Sequence, residues 1–488
     1  GPITQDNTSV EYYCTIFAAN ESPLKEGLLW TGSDDGLVYV SRDGGENWEN
    51  VTPKGMPKWM MINSIEPSYF DEGTCYIAGT KYKTGDFAPY LYKTTDYGKS
   101  WEKITDGIEA EHFTRVVRED PEKEGLLYAG TETGMYISFD AGENWKPFQL
   151  NLPIVPITDL ALKENNLIVA TQGRSLYIID DLSMLHQAIE AEDTDAVHLY
   201  KPKDTYRMDG GSRKSNSAGT NHPSGVMTYF HLPEYDAEKD SISLTYFDAK
   251  NDTIKSYSTK GGKDKLNVKE GANQFNWDMT YDGAERLPGM ILWWASTQGP
   301  QQIPGEYTVK LNVNGTDYTQ PYTVLADPRS EATVADMQAQ FDFISDVNET
   351  VDHAHQSIKK IRNINAQLSS FEKQYKDNPD TKELREKSKT LREDLEEIEK
   401  ALYQTKNRSG QDPLNFPIKL TNKLAHLNSL VSMGDFAPTD QDIAVKNELT
   451  AKIDAELNKF DTLVSDEVTA FNEAFNEMKL NYLFVEEE

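Results

Sequence analysis

One eight-residue pattern, Ser/Thr-x-Asp-x-Gly-x-x-Trp, constrains the fold of this chain more than any other feature. Ser41, Asp43, Gly45 and Trp48 write it first; Thr94, Asp96, Gly98 and Trp101 repeat it; Ser138, Asp140, Gly142 and Trp145 write it a third time. Each copy closes a matching run: LLWTGSDDGLVYV, CYIAGTKYKTGDFAPYLYK and LLYAGTETGMYI. These runs read as two short β-rich strands around a Gly-containing loop. A further strand stands upstream of each, in YYCTIFAA, INSIEPS and FTRVVRED. A fourth unit follows in ITDLALK and NLIVATQGRSLYIIDD, with Asp180 and Asp181 where the pattern falls but no Trp. A period of about 45–50 residues per four strands is that of a β-propeller blade, so residues 1–187 are expected to form about four blades.

The chemistry of the pattern is that of a turn. The carboxylate and hydroxyl accept backbone N–H groups, Gly takes a positive φ, and the Trp returns the chain to the core. These twelve residues are therefore read as structural rather than catalytic. The same motif is the Asp-box, or BNR repeat, of sialidases and of sortilin-type (VPS10) receptors. The wider text, including GSDDGLVYVSRDGGENW, YLYKTTDYGKSW and VATQGRSLYIIDDL, resembles the C-terminal half of large bacterial sortilin-like BNR-repeat proteins. That resemblance runs closely from residue 1 to about 330 and more loosely beyond. It implies further blades ahead of GPIT, so the ring is expected to be completed by an N-terminal propeller segment of the same protein or by another chain. A self-closed ring of four blades is the alternative. An open blade edge is a liability that another sheet would cover.

After Asp181 the repeats stop. Residues 188–225 read as a connector ending in a Gly/Ser/Asn-rich loop, MDGGSRKSNSAGTNHPSG. Alternating runs between 226 and 330, such as SISLTYF and TVKLNV, with a turn at Asn314-Gly315, read as an Ig-like β-sandwich. NQFNWDMTYDG and the later PGEYTVKLNVNG resemble the Ig-like module of flagellar-hook-capping type. Trp277, Trp293 and Trp294 are read as packing of this module, with a sugar-stacking platform as the rival. From 331 to 488 the period becomes helical, in Met337, Phe341, Ile344, Val347, Val351, Ile358 and Ile361 and again in Leu384, Leu391, Leu395, Ile398 and Leu402. An antiparallel helical bundle is expected. His353 and His355, two apart, fall on different helix faces and make no metal site.

Composition excludes several classes. The chain has 49 Lys+Arg against 80 Asp+Glu, a net charge of −31, which opposes phosphate backbones; nucleic acid is not an expected partner. Its 2 cysteines, Cys14 and Cys75, exclude a disulfide framework and a Cys-rich zinc module, and leave open whether they pair. No stretch approaches a membrane span. There is no P-loop, Rossmann fingerprint, HExxH or GxSxG, and no cofactor is expected. For a sialidase-like reaction the family grips a carboxylate with three arginines. The blades hold Arg42, Arg115, Arg118 and Arg174, with Arg42 inside a turn motif, and no triad can be assigned.

Blade topology puts the loops between second and third strands on the face opposite the Asp-box turns, beside the blade connectors. Those loops carry Asp34, Asp35, Tyr82, Phe87, Glu132 and Arg174, with Trp59 on a connector. They are the binding residues proposed from sequence, because exposed loops on a rigid scaffold are where binding concentrates; the alternative is that they fill the mouth of the ring. The reading is a non-enzymatic binding or assembly protein of the bacterial envelope or exterior, taking a peptide, glycan or protein partner. A periplasmic, outer-surface or extracellular location is implied by the resemblance. The alternative is a glycoside hydrolase of sialidase-like architecture with catalytic residues partly on blades outside this chain.

Overall fold

In the computed structural model, which describes residues 14–190, 195–208, 219–262 and 264–481, each repeat becomes one antiparallel meander in chain order. The first sheet holds β1 (Ile16–Glu21), β2 (Leu29–Ser33), β3 (Val38–Ser41) and β4 (Glu49–Asn50). The second holds β5 (Met61–Pro67), β6 (Cys75–Lys81), β7 (Asp86–Thr94) and β8 (Glu102–Lys103). The third holds β9 (Thr114–Glu119), β10 (Leu127–Thr131), β11 (Gly134–Ser138) and β12 (Trp145–Pro147). The fourth has β13 (Ile157–Lys163), β14 (Asn166–Thr171) and β15 (Leu176–Ile179). Among the described residues it holds three strands where four were expected. Asp181 Oδ1 accepts the Ser183 N–H at 2.9 Å and the chain enters helix α1 (Ser183–Glu190) instead.

Successive sheets pack face to face. Trp30, Val38 and Val40 of the first meet Cys75, Ile77 and Tyr92 of the second. Tyr76, Ala78 and Leu91 on the other face of that second sheet meet Leu127, Ala129 and Tyr136 of the third. Tyr128 and Ile137 then meet Leu167 and Val169 of the fourth. Burial on both faces explains why β6, β10 and β11 are apolar almost throughout rather than alternating. The first strand of each sheet lies beside the first strand of the next, so the sheets fan from a common line, as in a propeller-like fold. Arg118 bridges three of them: its Nη1 donates to Ser64 Oγ at 2.6 Å, its Nε to the Leu160 carbonyl at 2.9 Å and its Nη2 to Asp159 at 2.8 Å.

These sheets belong to one unit, Gly1–Thr194; Asp195–Glu488 forms a second. In the latter, β16 (His198–Leu199), β18 (Val226–Leu232) and β21 (Gly271–Trp277) form one sheet. β17 (Thr205–Arg207), β23 (Thr316–Ala326), β22 (Gly305–Val313), β19 (Ile242–Phe247) and β20 (Thr253–Ser258) form the other. Phe230 and Trp277 of the first sheet share a core with Tyr246, Val309, Leu311 and Tyr322 of the second, and the Trp277 ring lies 4.4 Å from that of Tyr246. β16 and β17 fall inside the stretch read as a connector. They are too short to show a period, yet they pair with β18 and, in parallel, with β23. Most of the Gly/Ser-rich loop, 209–218, lies outside the described residues.

Helices α2 (Val334–Gln374), α3 (Lys382–Leu402), α4 (Leu420–Val431) and α5 (Asp440–Leu463) share an apolar core, and a π-turn over Val464–Val468 leads to α6 (Thr469–Glu477). Thr333 and Thr439 start α2 and α5 with reciprocal capping boxes to Asp336 and Asp442. Ala284, Leu287 and Met290, from the segment before β22, pack into the helical core rather than the core between the two sheets. Trp293 N–H bonds Asn422, and His426 bonds the Trp294 carbonyl, tying the same segment to α4. Among the described residues no helix is long and apolar enough to cross a membrane.

Candidate functional site

The loops at one end of the first unit gather the sequence-predicted residues into two groups. The larger spans the second and third sheets. Tyr82, on a short 3-10 turn, stacks on Phe113 with centroids 5.1 Å apart, and Phe87 leans on the same ring at 6.1 Å. Arg115, at the start of β9, lies over both Phe113 (5.3 Å) and Tyr82 (5.6 Å). Its Nε and Nη2 reach Glu132 Oε2 at 2.7 and 2.5 Å. Glu132 thus sits in the β10–β11 turn as counter-ion to an arginine spread over two aromatic rings. His112 beside them bonds Tyr136 Oη at 2.7 Å. Tyr90 donates to Asp86 at 2.7 Å, and burial together with that carboxylate pushes its hydroxyl pKa up to about 12. Phe113 is buried, whereas Phe87 is 50% exposed. The result is a fixed aromatic surface with an ion pair along one side.

The second group is tighter. Asp34 and Trp59 meet Met61, Lys81 and Lys83 around a hollow of about 10 Å³, room for no more than one water. Asp34 Oδ1 accepts the N–H groups of Cys14 (2.8 Å) and Thr15 (2.9 Å), and Asp35 accepts the Ser33 hydroxyl. Both carboxylates hold the loop in shape. Arg174 is exposed in the β14–β15 turn. Phe113, Arg115 and His112 were absent from the sequence-derived binding set. Their only signal was position, at the mouth of the first strand of a repeat.

The four arginines do not converge. Arg42 lies over the Tyr97 ring (4.8 Å) at the turn end, Arg118 is committed along the common line, and Arg115 is bound to Glu132. Carboxylates outside these groups also have assigned work. Glu66 is buried 3.5 Å from Arg118, and burial raises its carboxyl pKa to about 7. His186 bonds Asp120 at 2.8 Å, which raises the imidazole pKa. His355 is buried with Nδ1 on the Glu285 carbonyl, and burial lowers its pKa. No group of His, Cys, Asp and Glu suited to a metal occurs among the described residues. No disulfide joins Cys14 and Cys75; the buried Cys75 thiol is held well above its usual range.

At the opposite end the three repeated turns share one hydrogen-bond pattern. Gly45, Gly98 and Gly142 donate N–H to the Ser41, Thr94 and Ser138 hydroxyls, each at 2.9 Å. Asp43, Asp96 and Asp140 accept the N–H of Asn47, Ser100 and Asn144, at 2.9, 2.9 and 2.8 Å. The side chains of Asn47, Ser100 and Asn144 donate to the same carboxylates, and these bonds, with those from the backbone, lower the carboxyl pKa at all three, to about 2 at Asp96.

Fold and site define a mainly β protein with a propeller-like unit and a helical C-terminal part. No family model matches it. Over 113 residues it is 26% identical to the oligoxyloglucan-reducing end-specific xyloglucanase of Emericella nidulans, a stretch covering 22% of this chain and 13% of that enzyme. Among solved structures, YCF48 from Cyanidioschyzon merolae is similar over 34% of this chain and 53% of its own, at 19% identity and TM-score 0.27. YCF48 bound to D1 peptide covers 63% and 82%, at 15% identity and TM-score 0.27. The GH74 xyloglucanase from Xanthomonas campestris covers 63% and 45%, at 12% identity and TM-score 0.28.

Proposed function

We propose that this chain is a non-enzymatic binding and assembly protein, of the sortilin-like, Asp-box propeller kind, working at the bacterial envelope or exterior. Its four sheets act as propeller blades, and the loop face of the second and third takes a peptide, glycan or protein partner. The Ig-like and helical parts serve assembly. The observation that carries this reading is Phe87, half-exposed on a platform that Phe113, Tyr82 and Arg115 hold rigid. A fixed aromatic surface gains contact without ordering cost, and an ion pair at its rim adds orientation. Glycan and peptide arrays probed with the purified chain test it. Phe87→Ala is expected to weaken the best ligand about tenfold, on the order of 1.4 kcal/mol, with the fold unchanged by circular dichroism. Equal binding by both proteins would remove the loop face from the proposal.

The second reading, a glycoside hydrolase with catalytic residues partly on blades outside this chain, is favoured by the 113-residue likeness to a xyloglucanase. Against it, Glu132 is neutralised by Arg115, and the remaining arginines are dispersed. Release of reducing ends from xyloglucan oligosaccharides, or of sialic acid from sialosides, would favour this second reading.

A further inference from the structure

The same three positions of each repeat meet different surroundings in the first sheet than in the next two. Cys75, Ile77 and Tyr92 of the second sheet, and Leu127, Ala129 and Tyr136 of the third, are buried against the sheet before them. Register against the repeated turn makes Leu29, Thr31 and Tyr39 their counterparts, because Leu29 pairs with Ser41 as Cys75 pairs with Thr94 and Leu127 with Ser138. All three of these first-sheet residues are only half-buried.

The turn tryptophans differ in the same way. Trp101 reaches back to donate its indole N–H to the Val51 carbonyl of the preceding sheet at 2.7 Å, and Trp145 does so to Ile104 at 2.9 Å. Trp48 donates instead to Gly45 in its own turn, at 3.0 Å, and its ring is 43% exposed against 3% for Trp145. A Cβ on Gly98 would lie 2.6 Å from Val51, and one on Gly142 would lie 2.5 Å from Ile104. Around Gly45 the nearest atoms belong to Leu29 and Trp48.

We infer that Leu29, Thr31, Tyr39, Gly45 and Trp48 form a docking face for one more four-stranded antiparallel sheet of this repeat, supplied by polypeptide outside these 488 residues. The occupant is specified chemically. Directly after its last strand a Val or Ile lies against Gly45 and turns its carbonyl to the Trp48 indole. Val51 and Ile104 each stand three residues beyond the Trp of their own repeat, which fixes where that residue lies in the occupant. The fourth sheet of a second copy does not qualify, since among the described residues it has no fourth strand and its repeat carries no Trp. The inference rests on the assembly part of the proposed function and is independent of what the loop face binds.

The test replaces Trp48 with the photo-cross-linker p-benzoylphenylalanine in the full chain, expressed in cells that naturally make the protein, and maps the joined residues by mass spectrometry. The expected cross-link lies within two residues of a Val or Ile that follows, by three, the Trp of a Ser/Thr-x-Asp-x-Gly-x-x-Trp repeat outside these 488 residues. Tyr39→Glu should cut its yield at least tenfold without altering circular dichroism. A cross-link to a second copy, to a sequence lacking the repeat, or unaffected by Tyr39→Glu would overturn the inference, as would no cross-link at all. Ligand binding by the loop face could persist in any of these cases, so the two proposals fail separately.

Discussion

Glu66 shows how a single carboxyl can set the pH response of the propeller-like unit. It is nearly enclosed on β5, with the Arg118 guanidinium 3.5 Å away and the Glu119 and Asp159 carboxylates adding repulsion. Desolvation outweighs the arginine, and the carboxyl pKa rises from its usual 4.5 to about 7. A group whose pKa is higher folded than unfolded holds its proton longer in the native state. Its stabilisation is complete below about pH 4.5 and lost as pH climbs through about 7. Glu66→Gln keeps the shape and removes the titration. In urea melts the difference between variant and wild type should therefore shift in favour of the variant by about 3 kcal/mol between pH 4.5 and 8. Parallel pH profiles for the two proteins would show that the Glu66 pKa is not raised on folding.

At the scale of the element, the repeated turn takes two left-handed residues in a row. Gly44, Tyr97 and Ala141 have φ of 73°, 60° and 56°, and the glycine after each is also positive. Two single changes in the third turn separate strain from space. Ala141→Gly relieves a conformation that costs an L-residue about 1–2 kcal/mol, partly offset by unfolded-chain entropy, and should raise stability by about 0.5–1 kcal/mol. Gly142→Ala, at φ 93° and against Ile104, should lower it by 2 kcal/mol or more, on the order of a core clash. Chemical denaturation of the two variants reads both signs, and a stable Gly142→Ala would contradict the close approach.

What was legible in the sequence follows this division between local and distant. The three turns were readable because their bonds run between residues at most four apart. The missing fourth strand was not, because Asp180 and Asp181 imitate the start of the motif while Asp181 initiates a helix. β16 and β17 were hidden because strands of two or three residues carry no alternation. In the loop face, Tyr82, Phe87 and Glu132 were named singly. Their grouping depends on Phe113 and Arg115, which come from another repeat and approach only once the sheets pack.

For the molecule as a whole, the excess of 80 acidic over 49 basic side chains sets a repulsion that no single pair removes. Several cations are already committed to partly buried partners: Arg115 to Glu132, Arg362 to Glu399 and Arg392 to Glu372. Most remaining acidic groups face water, where ion pairs contribute little and like charges act at Debye range. Salt therefore has two opposed effects, weakening exposed pairs and screening net repulsion. With a net charge of −31, screening should dominate, so the melting temperature should rise with sodium chloride. A gain of about 1 kcal/mol corresponds to about 2–4 °C for units of this size. Calorimetry from 20 to 300 mM salt (roughly a fourfold change in Debye length) gives the sign directly. A fall in melting temperature over that range would mean that the partly buried pairs, rather than the acidic surface, govern the electrostatics of the fold.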